Sequence, residues 1–288
     1  MTGIFANAQK DFQGMAVYET KTSTGDFKSR FEGNKDITPE MQKMFEERMK
    51  KMFEKTFILN FDKSASIYKE EEKLDATSQG GGGMRMMSSM TGGGGTIYKN
   101  VKEKAYTVDK EFMGKEFLVN DSLPKLNWTM GSETRVIGGY TCYKATAVKP
   151  ASKTDFRNFR PKKDEDKKKD SIANAGKETK TSFMDNLEMP KEITVTAWYT
   201  PEIPVNQGPE FYWGLPGLIL EVNDGKTTIL CSKVVINPKE KAEIKPSTKG
   251  KSISQKEYDD TVIKKMEEFQ EMNQGKGGRG GMQIRMGR

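Results

Sequence analysis

Apolar and polar positions alternate with a period of two along much of this chain and switch to helical spacing in two places. Phe12 to Thr22 (FQGMAVYETKT) alternates and is rich in strand formers, which predicts a first β-strand. Thr56 to Phe61 and Ala65 to Lys69 predict two more, joined through Asp62-Lys63-Ser64. Further strands are expected at Thr96 to Val101, Lys104 to Val108, Lys115 to Val119, Gly139 to Val148 and Glu192 to Thr200. Between the first two strands, Thr38 supplies an N-cap, Pro39 a first helical position and Glu40 an early acid. Met41, Met44, Phe45, Met49, Met52 and Phe53 follow at helical spacing, predicting an amphipathic helix of about four turns whose methionine stripe packs into the core. Near the other end, Ser254 caps a second helix that carries Tyr258, Val262, Ile263, Met266 and Phe269.

The densest apolar stretch is FYWGLPGLILEV, Phe211 to Val222, followed by Asn223-Asp224-Gly225-Lys226 and a second strand from Thr227 to Ile236. Asp-Gly at the tip favours a two-residue type I′ turn, because both central residues need positive φ. That turn pairs Val222 with Thr227, Leu220 with Ile229 and Leu218 with Cys231. Leu218, Leu220, Ile229 and Cys231 then share one face, and Ile219, Leu230, Val234 and Ile236 the other. A hairpin apolar on both sides has to be covered on both sides, as in a bent sheet whose hollow is filled. Gly214, Pro216 and Gly217 fit a sharp bend just before the strand.

Short strands joined by turns argue against a doubly wound nucleotide fold. The expected class is mainly β (α+β): a strongly curved antiparallel sheet or half-barrel with two amphipathic helices and long disordered loops. Residues 9–272 are read as a single domain. Its excursions are 76–95, which holds the glycine and methionine tract QGGGGMRMMSSMTGGGG, and 149–191, centred on RPKKDEDKKKD; neither composition offsets its conformational entropy by burial. Residues 273–288 read as a flexible basic tail.

Composition narrows the chemistry. The 288 residues are 31% charged and 34% hydrophobic, so a sizeable part lies outside any core. The net charge is +7, yet the charges are interspersed and aromatics rarely sit among the lysines. Backbone neutralisation of a nucleic acid needs a coherent basic face, so no nucleic-acid partner is expected. There is no histidine, which excludes serine-type triads and histidine-bearing zinc sites. Two cysteines rule out a four-cysteine site; Cys142 and Cys231 are either a candidate disulfide or two packed thiols. Residues 1–8 (MTGIFANA) have the small residues Ala6 and Ala8 of a signal-peptide cleavage site, giving a residual signal peptide or a flexible terminus. No apolar run is long enough for a transmembrane segment. Carboxylates at Asp121, Glu202, Glu210 and Glu221 show no spacing that singles out an acid-base pair, so no enzyme and no cofactor is expected. Glu202 and Glu210, in a loop stiffened by Pro204 and Pro209, are the first choice for polar anchors.

The segments WYTPEIPVNQGPEFYWGLPGLILEV, Trp198 to Val222, and IGGYTCYKA, Ile137 to Ala145, resemble the GLPGLI family of secreted proteins from Bacteroidetes-type bacteria. The hexapeptide Gly214 to Ile219 is the family's namesake motif, and the resemblance runs over about Asn127 to Pro238. It implies an envelope protein, periplasmic or secreted, of a kind often encoded near outer-membrane transporters, and no established activity. The same pattern is similar at fold level to the lipoprotein-carrier (LolA-like) superfamily, in which a curved sheet wraps apolar ligands.

The functional expectation is therefore non-enzymatic binding of an apolar small molecule or lipid, or a lipoprotein acyl chain, in a curved-sheet cavity. Its candidate residues are Trp198, Tyr199, Phe211, Tyr212, Trp213, Leu215, Pro216, Leu218 and Leu220. One alternative is an accessory protein docking on an outer-membrane partner. The other is cuprous-ion binding by the soft thioethers of Met84, Met86, Met87 and Met90, with Met282 and Met286.

Overall fold

The computed structural model of the chain describes residues 12–23, 38–71, 95–152, 154–155, 160–161, 187–188 and 190–275. In chain order the elements are β1 (Gly14–Thr22), α1 (Pro39–Phe53), β2 (Lys55–Phe61), β3 (Ala65–Glu70), β4 (Ile97–Asn100), β5 (Ala105–Phe112), β6 (Lys115–Ser122), β7 (Thr129–Ile137) and β8 (Tyr140–Pro150). They continue with β9 (Arg160–Pro161), β10 (Leu187–Glu188), β11 (Glu192–Thr200), β12 (Leu218–Asn223), β13 (Thr227–Ile236), β14 (Lys251–Ile253) and α2 (Gln255–Gly275).

Twelve strands form one sheet in the order β14-β6-β5-β4-β3-β2-β1-β13-β12-β11-β8-β7. The protein is mostly β, and the sheet is not closed: β14 and β7 are its two ends. Neighbours are antiparallel except β14, which runs parallel to β6. The first strand is central, with β2 on one side and β13 on the other, so the early and late parts of the chain fold together. Alternate residues of β1 are buried (Gly14, Ala16, Tyr18, Thr20), as the period-two pattern requires. One core cluster joins Tyr18, Leu59, Phe61 and Tyr68 to Val195 and Leu218–Leu220, with Phe57 stacked on Tyr68 at 4.8 Å. A second joins Tyr106, Val108, Phe117 and Val119 to Tyr258 and Val262 of α2, Phe117 meeting Tyr258 edge-on at 5.6 Å.

Both helix starts follow the sequence reading. Thr38 Oγ1 accepts from Met41 N at 3.2 Å. Ser254 Oγ accepts from Glu257 N while Glu257 Oε2 accepts from Ser254 N, a reciprocal capping box. The methionine stripe of α1 departs from expectation: Met41 and Met44 are exposed, and it is Phe53, at the helix end, that is buried. The side chains of Phe45, Met49, Met52 and Phe269 lie outside the described set. Contact with the sheet is made where the chain turns into β2, where Thr20 Oγ1 lies 3.3 Å from Phe53 O and accepts from Lys55 N.

The hairpin of β12 and β13 corrects the predicted register. Val222 pairs with Ile229, Asn223 with Thr228 and Glu221 with Leu230. Asp224 N donates to Thr227 O, so the two central turn residues are Gly225, at φ +87°, and Lys226. The cause lies in two side chains: Asp224 Oδ1 accepts from Lys226 N and Thr227 N, and Asn223 Oδ1 accepts from Gly225 N. The expected faces change as well: bulges at Leu220 and Ser232 let Ile219 pair with Tyr199, and Val234 and Ile236 with Ala16 and Gly14, so these three share the core face of Ile229 and Cys231 instead of lying opposite it with Leu230. Two-sided cover holds only for part of the hairpin. Leu218, Ile219 and Leu220 are fully buried, whereas Leu230 on β13 is 40% exposed.

Within the expected excursion 149–191, residues 149–150 extend β8, and Arg160–Pro161 pairs with Leu187–Glu188. Helix α2 runs on through Gly275, past the expected start of the tail at 273. Residues 1–8, 76–94 and 276–288 lie outside the described residues, as do Met84, Met86, Met87, Met90, Met282 and Met286. No helix among the described residues is long and apolar enough to cross a membrane, which says nothing of strands.

Candidate functional site

The loop of residues 201–217, between β11 and β12, carries most of the motif residues. Five of the six positions of the hexapeptide have a structural reason. Gly214 sits at φ +93°, a conformation costly for residues with a Cβ. Leu215 is sealed in the core, and Pro216 is exposed. Gly217 packs so closely that a Cβ there would lie 2.2 Å from Thr200 O. Leu218 and Ile219 then enter the core with no exposed surface. Leu218 N and Ile219 N donate to Ile203 O and Gln207 O, so the loop also pairs with the strand it leads into.

Polar groups reach this loop from across the sheet. Lys99 on β4 is fully buried, and its Nζ donates to Gly208 O at 2.5 Å and Tyr212 O at 3.3 Å. Burial pulls its pKa down to about 7, opposed by the nearby carboxylate of Glu210. Tyr18 Oη donates to Ile219 O at 2.6 Å, and burial raises its pKa well above the ordinary phenol value. Ser66 Oγ donates to Gln207 Oε1 at 2.9 Å. Trp128 Nε1 donates to Trp213 O and Trp213 Nε1 to Pro124 O, each at 2.9 Å. Lys149 Nζ donates to Tyr212 Oη at 2.8 Å, and Phe211 meets Tyr106 edge-on at 4.9 Å.

The sequence-predicted ligand residues thus divide. Tyr199, Tyr212, Leu215, Leu218 and Leu220 are buried, the last three at 0–1% exposure, while Trp198, Phe211 and Trp213 are half-buried. A side chain at zero exposure is in contact with protein atoms all round, so these leucines present no wall to an open hollow. The candidate anchors have different surroundings. Glu202 Oε1 accepts from Thr141 N, and Glu210 is held in the left-handed region at φ +44°. Asp121 Oδ2 accepts from Gln255 N at the start of α2. Among the described residues no group of three or more Cys, Asp or Glu is placed to hold a metal.

Cys142 on β8 and Cys231 on β13 are free thiols. Two strands, β11 and β12, stand between theirs in the sheet order. Burial raises their pKa values to about 11 and about 12, leaving both unreactive at neutral pH.

A second region, unnoticed in the sequence, is the sheet end at β7. Thr129 and Met130 pair with Thr146 and Ala145, and Thr134 to Ile137 pair with Tyr143 to Tyr140, with a bulge between. Met130 and Val136 are 58% and 71% exposed, and Tyr143 is partly exposed. Tyr143 lies 6.1 Å from the Tyr199 ring, whose Oη reaches Met130 Sδ at 3.8 Å. Arg135 covers the Trp198 ring at 4.2 Å and ion-pairs with Glu221 on β12. Glu133 pairs with Lys144 at 2.7 Å.

A family model described as a protein of unknown function (Porph_ging) matches residues 128–221. That span holds both segments that carry the family resemblance, apart from Val222, together with the 201–217 loop and the β7 edge. No curated protein matches the chain. Among solved structures, PNGF-II in a C2 crystal form is similar at 13% identity and a TM-score of 0.46, covering 88% of this chain and 33% of that one. PNGF-II in a P21 form gives 14% identity, a TM-score of 0.47 and the same coverage. The chain therefore spans a third of the length of those proteins, and a likeness of this size assigns neither fold nor function.

Proposed function

We propose that this is a non-enzymatic docking module of the cell envelope, periplasmic or secreted, that holds a protein partner along the β7–β8 edge. The observation that carries the reading is that edge itself. Among the described residues strand β7 ends the sheet and no strand pairs with its outer side, and Met130, Val136 and Tyr143 lie exposed beside it. Unpaired strand N–H and C=O groups are completed by another strand, and an acyl chain has neither donor nor acceptor to offer them. The family resemblance supports the envelope setting and docking near outer-membrane proteins.

An apolar ligand seated on Leu215, Leu218 and Leu220 has to displace the side chains that already cover them. The motif loop serves instead as the internal cover of the sheet.

The test is a photo-crosslinking residue placed at Val136, with exposed Lys239 as control, in cells that naturally make the protein. The expected result is a discrete protein adduct at 136 and none at 239. Equal labelling at both positions, or lipid adducts alone, overturns the docking function.

A further inference from the structure

The smaller of the two apolar clusters is covered by the late part of the chain. Tyr106, Val108 and Phe112 alternate onto one face of β5, with Phe117 and Val119 beside them on β6. Tyr258 and Val262 of α2 are buried against this floor, and Phe211 and Trp213 of the motif loop border it. The covering unit is lightly joined to the sheet. After β13, residues 237–250 form neither helix nor strand, and they are tied down at their β13 end, where Asn237 N donates to Gln13 O and Gln13 Nε2 to Ala242 O. Gly250, at φ +101°, turns the chain into β14, whose three residues make the parallel ladder with β6.

The polar ties of α2 to its surroundings gather near its start. Asp121 Oδ2 accepts from Gln255 N at 3.2 Å, Tyr106 Oη donates to Gln255 Oε1 at 3.2 Å, and Lys110 Nζ stands 4.5 Å from the centre of the Tyr258 ring. Val108 lies between Tyr106 and Lys110 on the same face of β5, so it sits directly under the helix. One tie comes from the far wing of the sheet. Thr154, just beyond β8, donates from Oγ1 to Asp259 Oδ1 at 2.8 Å, and Gln255 Nε2 donates to the same oxygen at 2.7 Å. Strands β5, β4, β3, β2, β1, β13, β12 and β11 stand between β6 and β8 in the sheet order, so this bond joins the two wings. Farther along α2, Ile263 and Met266 are half-buried and Met272 is 63% exposed.

We infer that β14 and α2 form a hinged flap, pivoting on the 237–250 strap and latched shut by the hydrogen bond between Thr154 and Asp259. Proteins open first where few apolar side chains are buried, and this unit sets Tyr258, Val262 and a three-residue ladder against the two-sided pairing of β1 and β12. Its release uncovers Val108 and Phe117 and frees the main-chain groups of β6 that β14 uses, while β1, β12 and β13 stay closed. Because the motif loop and the flap cover one floor from two sides, opening also removes part of what Phe211 and Trp213 rest against. The device is independent of the β7 edge.

The experiment measures thiol labelling of the folded full chain by an aromatic disulfide reagent, each label being located by peptide mapping. Val108→Cys reports from under α2 and Val222→Cys from β12 in the larger cluster. The thiol at 108 is expected to react at least about tenfold faster than the thiol at 222. Adding Thr154→Val, which removes only the latch hydroxyl, is expected to speed labelling at 108 about tenfold and leave 222 unchanged. Hydrogen exchange of the chain without introduced cysteines gives a second reading, valid even where Val108→Cys lowers the Tm. There the amides of residues 255–262 are expected to exchange ahead of those of β1 and β12, and Thr154→Val to accelerate them alone. Equal rates at 108 and 222 together with equal exchange of α2 and β1 overturn the flap. A Thr154→Val variant that labels and exchanges like its parent, or that accelerates every position alike, overturns the latch.

Discussion

Lys99 offers a direct measure of how tightly the motif loop is held. Its Nζ is fully buried against the Gly208 and Tyr212 carbonyls, and its pKa falls to about 7 from 10.5 because burial penalises the cation. In the unfolded chain the amine returns to 10.5, so between pH 7 and 10.5 the unfolded state binds the extra proton. Stability must then rise with pH across this window, by up to 1.36 kcal/mol per pH unit. Below pH 7 both states are protonated, the slope vanishes and the burial cost is present in full. The buried thiols act with the opposite sign. Their folded pKa values lie above the ordinary 9.0, so the folded state keeps its protons longer and stability falls as pH climbs through 9 and beyond.

The clean interval is therefore pH 7 to 8.5, where Lys99 contributes about 2 kcal/mol of added stability. Lys99→Met removes the titrating group and leaves two carbonyls without their donor, which offsets the relief of a buried charge at pH 7. Urea unfolding of both proteins at pH 7.0, 7.5, 8.0 and 8.5 should show the wild type gaining on the variant by about 2 kcal/mol over the interval. Parallel pH profiles for the two proteins would refute the assignment of a deprotonating, buried Lys99.

Two further outcomes follow from the same geometry. Gly217→Ala forces a Cβ to 2.2 Å from Thr200 O and is expected to cost about 3 kcal/mol or more, against about 1 kcal/mol for Gly214→Ala, where only the positive φ is violated; thermal denaturation ranks the two. Ellman titration without reductant should find two thiols per chain after denaturation. In the native state the raised pKa of Cys142 alone slows its reaction about a hundredfold, and absence of both thiols would mean a disulfide.

Strands that face the core announce themselves, and those that do not stay silent. β11 was legible to the residue because Ile193, Val195, Ala197 and Tyr199 alternate into the core. The two helix caps were legible because Thr38 and Ser254 act on donors three residues away. β7 was missed because an edge strand with little buried face, TMGSETRVI, has no apolar period to read. β14 was missed because three residues pairing in parallel with a distant strand leave no local signature. The hairpin register was missed by two residues because Asp224 and Asn223 bond to the turn with their side chains, a choice the Asp-Gly pair alone does not reveal. Lys99 gave one faint signal, a lysine in phase with Ile97 and Val101, and its role depends on a loop more than a hundred residues later.

The 128–221 span accounts for both regions at once, because its parts brace one another. Trp128 Nε1 holds Trp213 O, Glu202 Oε1 takes Thr141 N from the start of β8, and Arg135 crosses the Trp198 ring to reach Glu221 on β12. Each tie joins the segment that carries the open edge to β11, to the motif loop or to the strand that follows it. A sheet edge that must accept another strand cannot itself be loose, since ordering it on contact would consume the binding free energy. On this argument the motif's buried leucines and close-packed glycines matter to the proposed docking without touching a partner: they fix β12, β12 fixes Glu221, and Glu221 holds Arg135 in a strand whose outer side is unpaired among the described residues.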